Sequence, residues 1–168
     1  MPKGRPLVRL GDPWQHTPLN TESEAAMTAS SQTRVLPLHE APVARPATVP
    51  GVFRAAARIL AANGLYQGDF VPDAFDREMD VPHFLRPMSI VAALKCATTG
   101  DPHLTSLLSD NAIAVLALRL EVDGEGPLFG GIFDLEAHVD GWGDLEGRTT
   151  ESVVAVLEAA ADANEVLA

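Results

Sequence analysis

Between Phe133 and Asp140 the chain alternates apolar and polar residues. Asp134, Glu136, His138 and Asp140 carry the polar positions, and Asp144 and Glu146 follow shortly after. Carboxylates and an imidazole at this density could hold a divalent cation. Oxygen ligands suit magnesium, calcium or manganese, and the histidine admits zinc or iron. Without a metal, the same groups could act as general acid and base, since an imidazole titrates near neutrality. Asp134, Glu136, His138 and Asp140 are therefore the candidate catalytic residues. A calcium loop of the EF-hand type does not fit. Placing Glu136, His138, Asp140, Gly141 and Asp144 at loop positions one, three, five, six and nine puts Gly147 where the bidentate glutamate is needed. The bland alternative is a solvated face, the usual fate of a run of charges.

A second group sits in a proline-bracketed stretch. His83 and Arg86 lie between Pro82 and Pro87, downstream of Tyr66, and the three could line a pocket in which His83 serves as base. Cys96 would need a histidine within hydrogen-bond reach to act as a nucleophile, and a small packing residue is the simpler reading. His103 falls in the first turn of an expected helix, where the dipole disfavours its charged form, and it is assigned no role. The sequence contains no phosphate-binding Gly-x-x-x-x-Gly-Lys loop, dinucleotide Gly-x-Gly-x-x-Gly, Gly-x-Ser-x-Gly elbow or His-Glu-x-x-His helix.

These residues belong to a chain of 168 with a formal net charge of -11 and 46% hydrophobic residues. That length suits one domain, and the apolar content suffices for a core. The negative charge argues against direct nucleic-acid binding, which depends on lysine and arginine displacing counterions. It equally disfavours anionic membrane surfaces and favours a basic protein or peptide as partner. A single cysteine precludes an internal disulfide and fits a reducing compartment, so a cytoplasmic location is expected. The N-terminus has basic residues without the apolar run of a signal peptide, and no segment has the length of a membrane span.

Residues 1–49 differ from the remainder. Eight of the thirteen prolines fall in residues 1–50, whose net charge is +1 against -12 for the rest. Proline removes backbone donors and disfavours helix at the preceding residue, so 1–49 reads as a disordered arm and 50–168 as the folded domain. Met27 is an alternative start.

In the domain, Val52, Phe53, Ala56, Ile59 and Leu60 share one helical face, and Asn63-Gly64 ends that helix. Residues 65–87 make too long a connection to be a simple loop. Tyr66, Phe70, Phe75 and Phe84 are its expected anchors. Ser89 to Thr99 reads as a second helix stopped by Gly100, and Asp101-Pro102 as the start of a third running to about Leu120. After the Asp123–Pro127 turn, the alternation at 133–140 fits a half-buried strand, or a short helix. Thr149 caps a final helix with Val153, Val156, Leu157, Ala160 and Ala161 as its apolar stripe. The fold class expected is mainly α: a small helical bundle with a disordered N-terminal arm and room for one short β-hairpin near 118–140.

Three short motifs carry a resemblance: Cys96-Ala97 late in a helix, Trp142-Gly143-Asp144, and Arg148-Thr149-Thr150-Glu151-Ser152-Val153. Over roughly residues 52–157 the chain resembles a family of small actinobacterial and phage proteins of unknown function. That family has a Cys-x-x-Gly-Ala helix, a Trp-Asn-Asp turn and an Arg-Thr-x-x-x-Val helix. The chain departs from it at Gly143, where the family has asparagine, and at Thr99-Gly100. The resemblance implies a mainly helical domain and no activity. It makes the corner from Trp142 to Thr149 a structural hallmark, with Trp142 plugging the core and Asp144 or Arg148 tying down the turn.

Cofactor and substrate stay unassigned at this level. The first functional expectation is an accessory or regulatory binding protein with an acidic surface, for which a second copy of the chain is another admissible partner. The alternative is a small tailoring enzyme using carboxylate and histidine acid–base chemistry, with or without a metal. A third class, an acidic mimic of DNA, would need carboxylates spaced like phosphates along one face.

Overall fold

The computed structural model describes residues 44–165 apart from 74, 76, 77 and 129. The expected arm therefore lies outside the described residues except for 44–49. Among the described residues there are five α-helices: α1 Val49–Asn63, α2 Ile90–Thr99, α3 Leu107–Ala117, α4 Ile132–Gly143 and α5 Thr150–Glu165. α1 is the hub and packs on α5, α2 and α3, while α4 closes the other side against α3 and α2. Val52, Phe53, Ala56 and Leu60 of α1, Ile90, Val91 and Leu94 of α2, Ile113 and Leu116 of α3, Val139 of α4, and Val153 and Leu157 of α5 meet in one core.

Local chemistry sets the helix ends. The Thr48 hydroxyl accepts the Gly51 amide hydrogen at 3.3 Å, and Pro50 occupies a first-turn position where its missing donor costs nothing. Ser89 caps α2 by accepting from Ala92 at 3.2 Å, and Gly100 ends it in the left-handed conformation. Ser106 and Ser109 form a reciprocal capping box on α3. Thr149 and Ser152 do the same on α5, each hydroxyl accepting the other residue's amide hydrogen.

Several expectations are corrected. Helix α3 does not begin at Asp101. Its side chain instead accepts the His103 amide hydrogen at 2.8 Å, which closes a turn, and the helix waits for the serine box at 106. The expected hairpin reduces to an antiparallel bridge, Val122 to Glu125, around a tight turn in which Asp123 and Gly124 both take positive φ. The alternating stretch is helix α4. Ile132, Leu135, Val139 and Trp142 recur at helical spacing and pack on or within the core, which outweighs the period-two pattern.

Among the described residues of the long connection between α1 and α2, a 3-10 turn spans His83–Leu85. The first part of the connection is laced down. The Leu65 amide donates to the Thr150 hydroxyl at 2.9 Å, Tyr66 to the Met88 carbonyl at 3.0 Å and Gly68 to Asp144 at 2.8 Å. Gln67 donates to the Gly143 carbonyl at 2.8 Å. Met88 is fully buried, whereas Phe75 and Phe84 are exposed and do not anchor the segment.

Candidate functional site

Helix α4 separates the residues of the acidic strip. Glu136, Asp140 and Asp144 stand four apart and so share a face. All three are engaged in holding the fold. Glu136 pairs with Lys95 of α2 at 2.9 Å, both side chains being largely shielded from solvent. Asp140 accepts the Val91 amide hydrogen at 3.1 Å and the Ser89 hydroxyl at 3.2 Å, so it caps α2 from another helix. Burial pushes its carboxyl up to about 6, against the lowering effect of those two hydrogen bonds. Asp144 holds Gly68. His138 turns elsewhere: its Nε2 donates to the Leu120 carbonyl at 3.0 Å, just beyond the end of α3. Asp134 is exposed. The four candidate catalytic residues are thus not brought to one point.

Trp142 is 6% exposed, and the Arg148 guanidinium lies over its ring, 3.8 Å from the centroid. Asp144 ties the corner to the long connection rather than to the turn itself.

The described residues also enclose a cavity of about 380 Å³ lined by Val71, Pro72, Asp73, Met79, His83, Arg86, Pro87 and Met88. His83 and Arg86, linked in the sequence by their bracketing prolines, do share this wall, while Tyr66 lies outside it. Arg86 donates to the Met79 sulfur at 3.3 Å, and its Nε is buried with no acceptor. No carboxylate among the described residues forms an ion pair with it. Asp73 also faces the cavity but is exposed, and it accepts the Phe75 amide hydrogen at 2.8 Å.

Beside the cavity, His83 Nδ1 comes within 3.8 Å of Asp101 Oδ1. The donor atoms of His83, Asp101 and His103 all lie within 4.8 Å of one another. The Phe70 ring stacks against His103, with centroids 6.0 Å apart, and Lys95 lies over the same ring. Asp101 and His103 escaped the sequence reading because the Asp-Pro pair looked like a helix start. His83 is about twenty residues upstream, and nothing in the spacing announces its approach. Cys96 is buried, which pushes its thiol up to about 11 and leaves it protonated near neutrality.

A model of a family of unknown function, DUF6197, matches residues 44–163. The chain belongs to that family. The match begins just before the cap of α1 and ends within α5, so it spans the helical core, the laced connection and the cavity. No curated protein and no solved structure matches the chain. DUF6197 membership brings no activity with it. No helix among the described residues is long and apolar enough to cross a membrane.

Proposed function

We propose that this DUF6197 domain is an accessory binding protein whose ligand is a small molecule with an apolar body and one anionic group, most simply a carboxylate. One observation carries the reading: a cationic side chain, Arg86, lines an apolar cavity and buries its Nε without an acceptor. A buried cationic donor that no carboxylate of the described residues pairs with is costly, and a carboxylate ligand offers the guanidinium the paired acceptors it is shaped for. Val71, Pro72, Met79 and Met88 supply apolar walls, and about 380 Å³ falls in the range of small-ligand pockets. The cytoplasm is the location we assign, in keeping with the single buried thiol.

The test is a matched pair of probes on the full chain. Octanoate should bind and raise the melting temperature, while octanamide, neutral and of the same shape, should bind at least tenfold more weakly. Arg86→Gln should remove the difference. Equal binding of both probes, or binding of neither, overturns the reading.

A basic peptide partner is the second reading, favoured by a groove between α3 and α4. Asp110, Asn111 and Ala114 line one side and Ile132 and Leu135 the other, with Gly131 at its end. Leu107 and Phe133, each 79% exposed, lie on the same two helices. Such a surface suits a cationic segment with an apolar stripe. The tailoring-enzyme alternative loses its simplest constellation, because Glu136 and Asp140 hold α2, His138 is bonded to the Leu120 carbonyl and Asp134 is exposed.

A further inference from the structure

We propose that His83, Asp101 and His103 form a binding site for one divalent transition-metal ion of the zinc, cobalt or iron(II) class. Two imidazoles and a carboxylate are a borderline donor set, which favours these ions over magnesium and calcium, whose preferred ligands are all oxygen. Three protein ligands also leave at least one coordination position open.

The three donors come from two segments that the fold forces together. His83 begins the 3-10 turn of the long connection. Asp101 and His103 sit in the turn that leaves α2, immediately after the left-handed Gly100. Asp101 Oδ1 accepts the His103 amide hydrogen at 2.8 Å, which fixes the carboxylate relative to the second histidine. Thr99 reinforces the turn, its hydroxyl accepting the Asp101 amide hydrogen at 3.0 Å. The His103 ring is held on its flank by Phe70, and the two imidazoles stand edge to face with centroids 5.9 Å apart.

All three residues are half-buried, so solvent reaches the cluster without flooding it. The donor atoms lie within 4.8 Å of one another, against an edge of about 3.4 Å for a tetrahedron with bonds near 2.1 Å.

The metal site does not depend on the anion reading, although His83 borders both. Arg86→Gln should abolish the preference for octanoate and leave metal uptake intact. Asp101→Asn should do the reverse, and its amide oxygen can still accept the His103 amide hydrogen and so keep the turn.

The experiment uses the full chain stripped with chelator and titrated with zinc by calorimetry. Uptake of one zinc per chain is expected, weakened at least tenfold in Asp101→Asn and in His103→Gln. It should be unchanged in His138→Ala and in a chain carrying both His16→Gln and His39→Gln. A second readout needs no variant. On adding zinc, the ring-nitrogen NMR signals of His83 and His103 should shift while that of His138 stays in place. Failure to take up one equivalent, uptake undiminished by the two site variants, or unmoved His83 and His103 signals would each overturn the proposal.

Discussion

Asp140, at the centre of α4, accepts the amide hydrogen of Val91 in the first turn of α2 at 3.1 Å. A carboxylate expected to face solvent or substrate is thus a helix cap supplied from a neighbouring helix, at the positive end of the α2 dipole. Its pH behaviour follows. Burial raises the folded carboxyl to about 6, above its ordinary value near 3.9. Between those values the folded state binds more protons than the unfolded one, so this group's contribution to stability declines as pH rises from about 4 to about 6. Asp140→Asn keeps an acceptor for Val91 and cannot titrate. The wild-type stability relative to this variant should therefore fall by about 3 kcal/mol or less across that window, measured by urea unfolding. Parallel pH curves would contradict the assignment.

The pair between Lys95 and Glu136 makes a different prediction. Both side chains are shielded, so removing one partner strands the other. Lys95→Met and Glu136→Leu should each cost about 3 kcal/mol, whereas the two combined should fall within about 1 kcal/mol of wild type. Unfolding midpoints of the four proteins form a double-mutant cycle. Additive losses would mean that the two side chains do not interact.

Arg148 over Trp142 should contribute through its stacked guanidinium. Arg148→Ala is expected to cost about 1–2 kcal/mol and Arg148→Lys about half of that. In a Trp14→Phe background, emission then reports Trp142 alone. It should shift to longer wavelength in Arg148→Ala as water reaches the ring. An unchanged spectrum would show that Arg148 does not cover it.

Salt separates the two readings of function. The chain carries a net charge of -11, which repels an anionic ligand at long range, while the local pairing at Arg86 is short and sheltered. Octanoate affinity should hold or rise between about 50 and 300 mM salt. A basic peptide in the α3–α4 groove should lose affinity steeply over the same range. Octanoate binding that weakens like the peptide's would count against a sheltered pairing at Arg86.

Much of the architecture was legible in the sequence. The apolar stripes of α1, α2 and α5, the Thr149 cap of α5 and the glycine stops of α1 and α2 all follow rules confined to one turn of helix. Residues 133–140 misled because alternation there coexists with the 132, 135, 139, 142 spacing, and only packing against α2 and α3 decides between them. Sharing a wall was foreseeable for His83 and Arg86, whose flanking prolines confine them to one short stretch. The approach of Asp101 and His103 to His83 was not. It depends on where the connection at 65–88 lies against the end of α2, and that is fixed by contacts such as Tyr66 with Met88 and Gly68 with Asp144, between residues far apart in the chain.

Whether Arg86 awaits an anion can be read from its own Nε–H signal. In a nitrogen–proton NMR spectrum of the full chain, the signal absent from Arg86→Lys identifies it. On titration with octanoate that signal should move downfield and saturate, and with octanamide it should stay in place. A signal that ignores octanoate, or that responds equally to the neutral amide, would contradict the account.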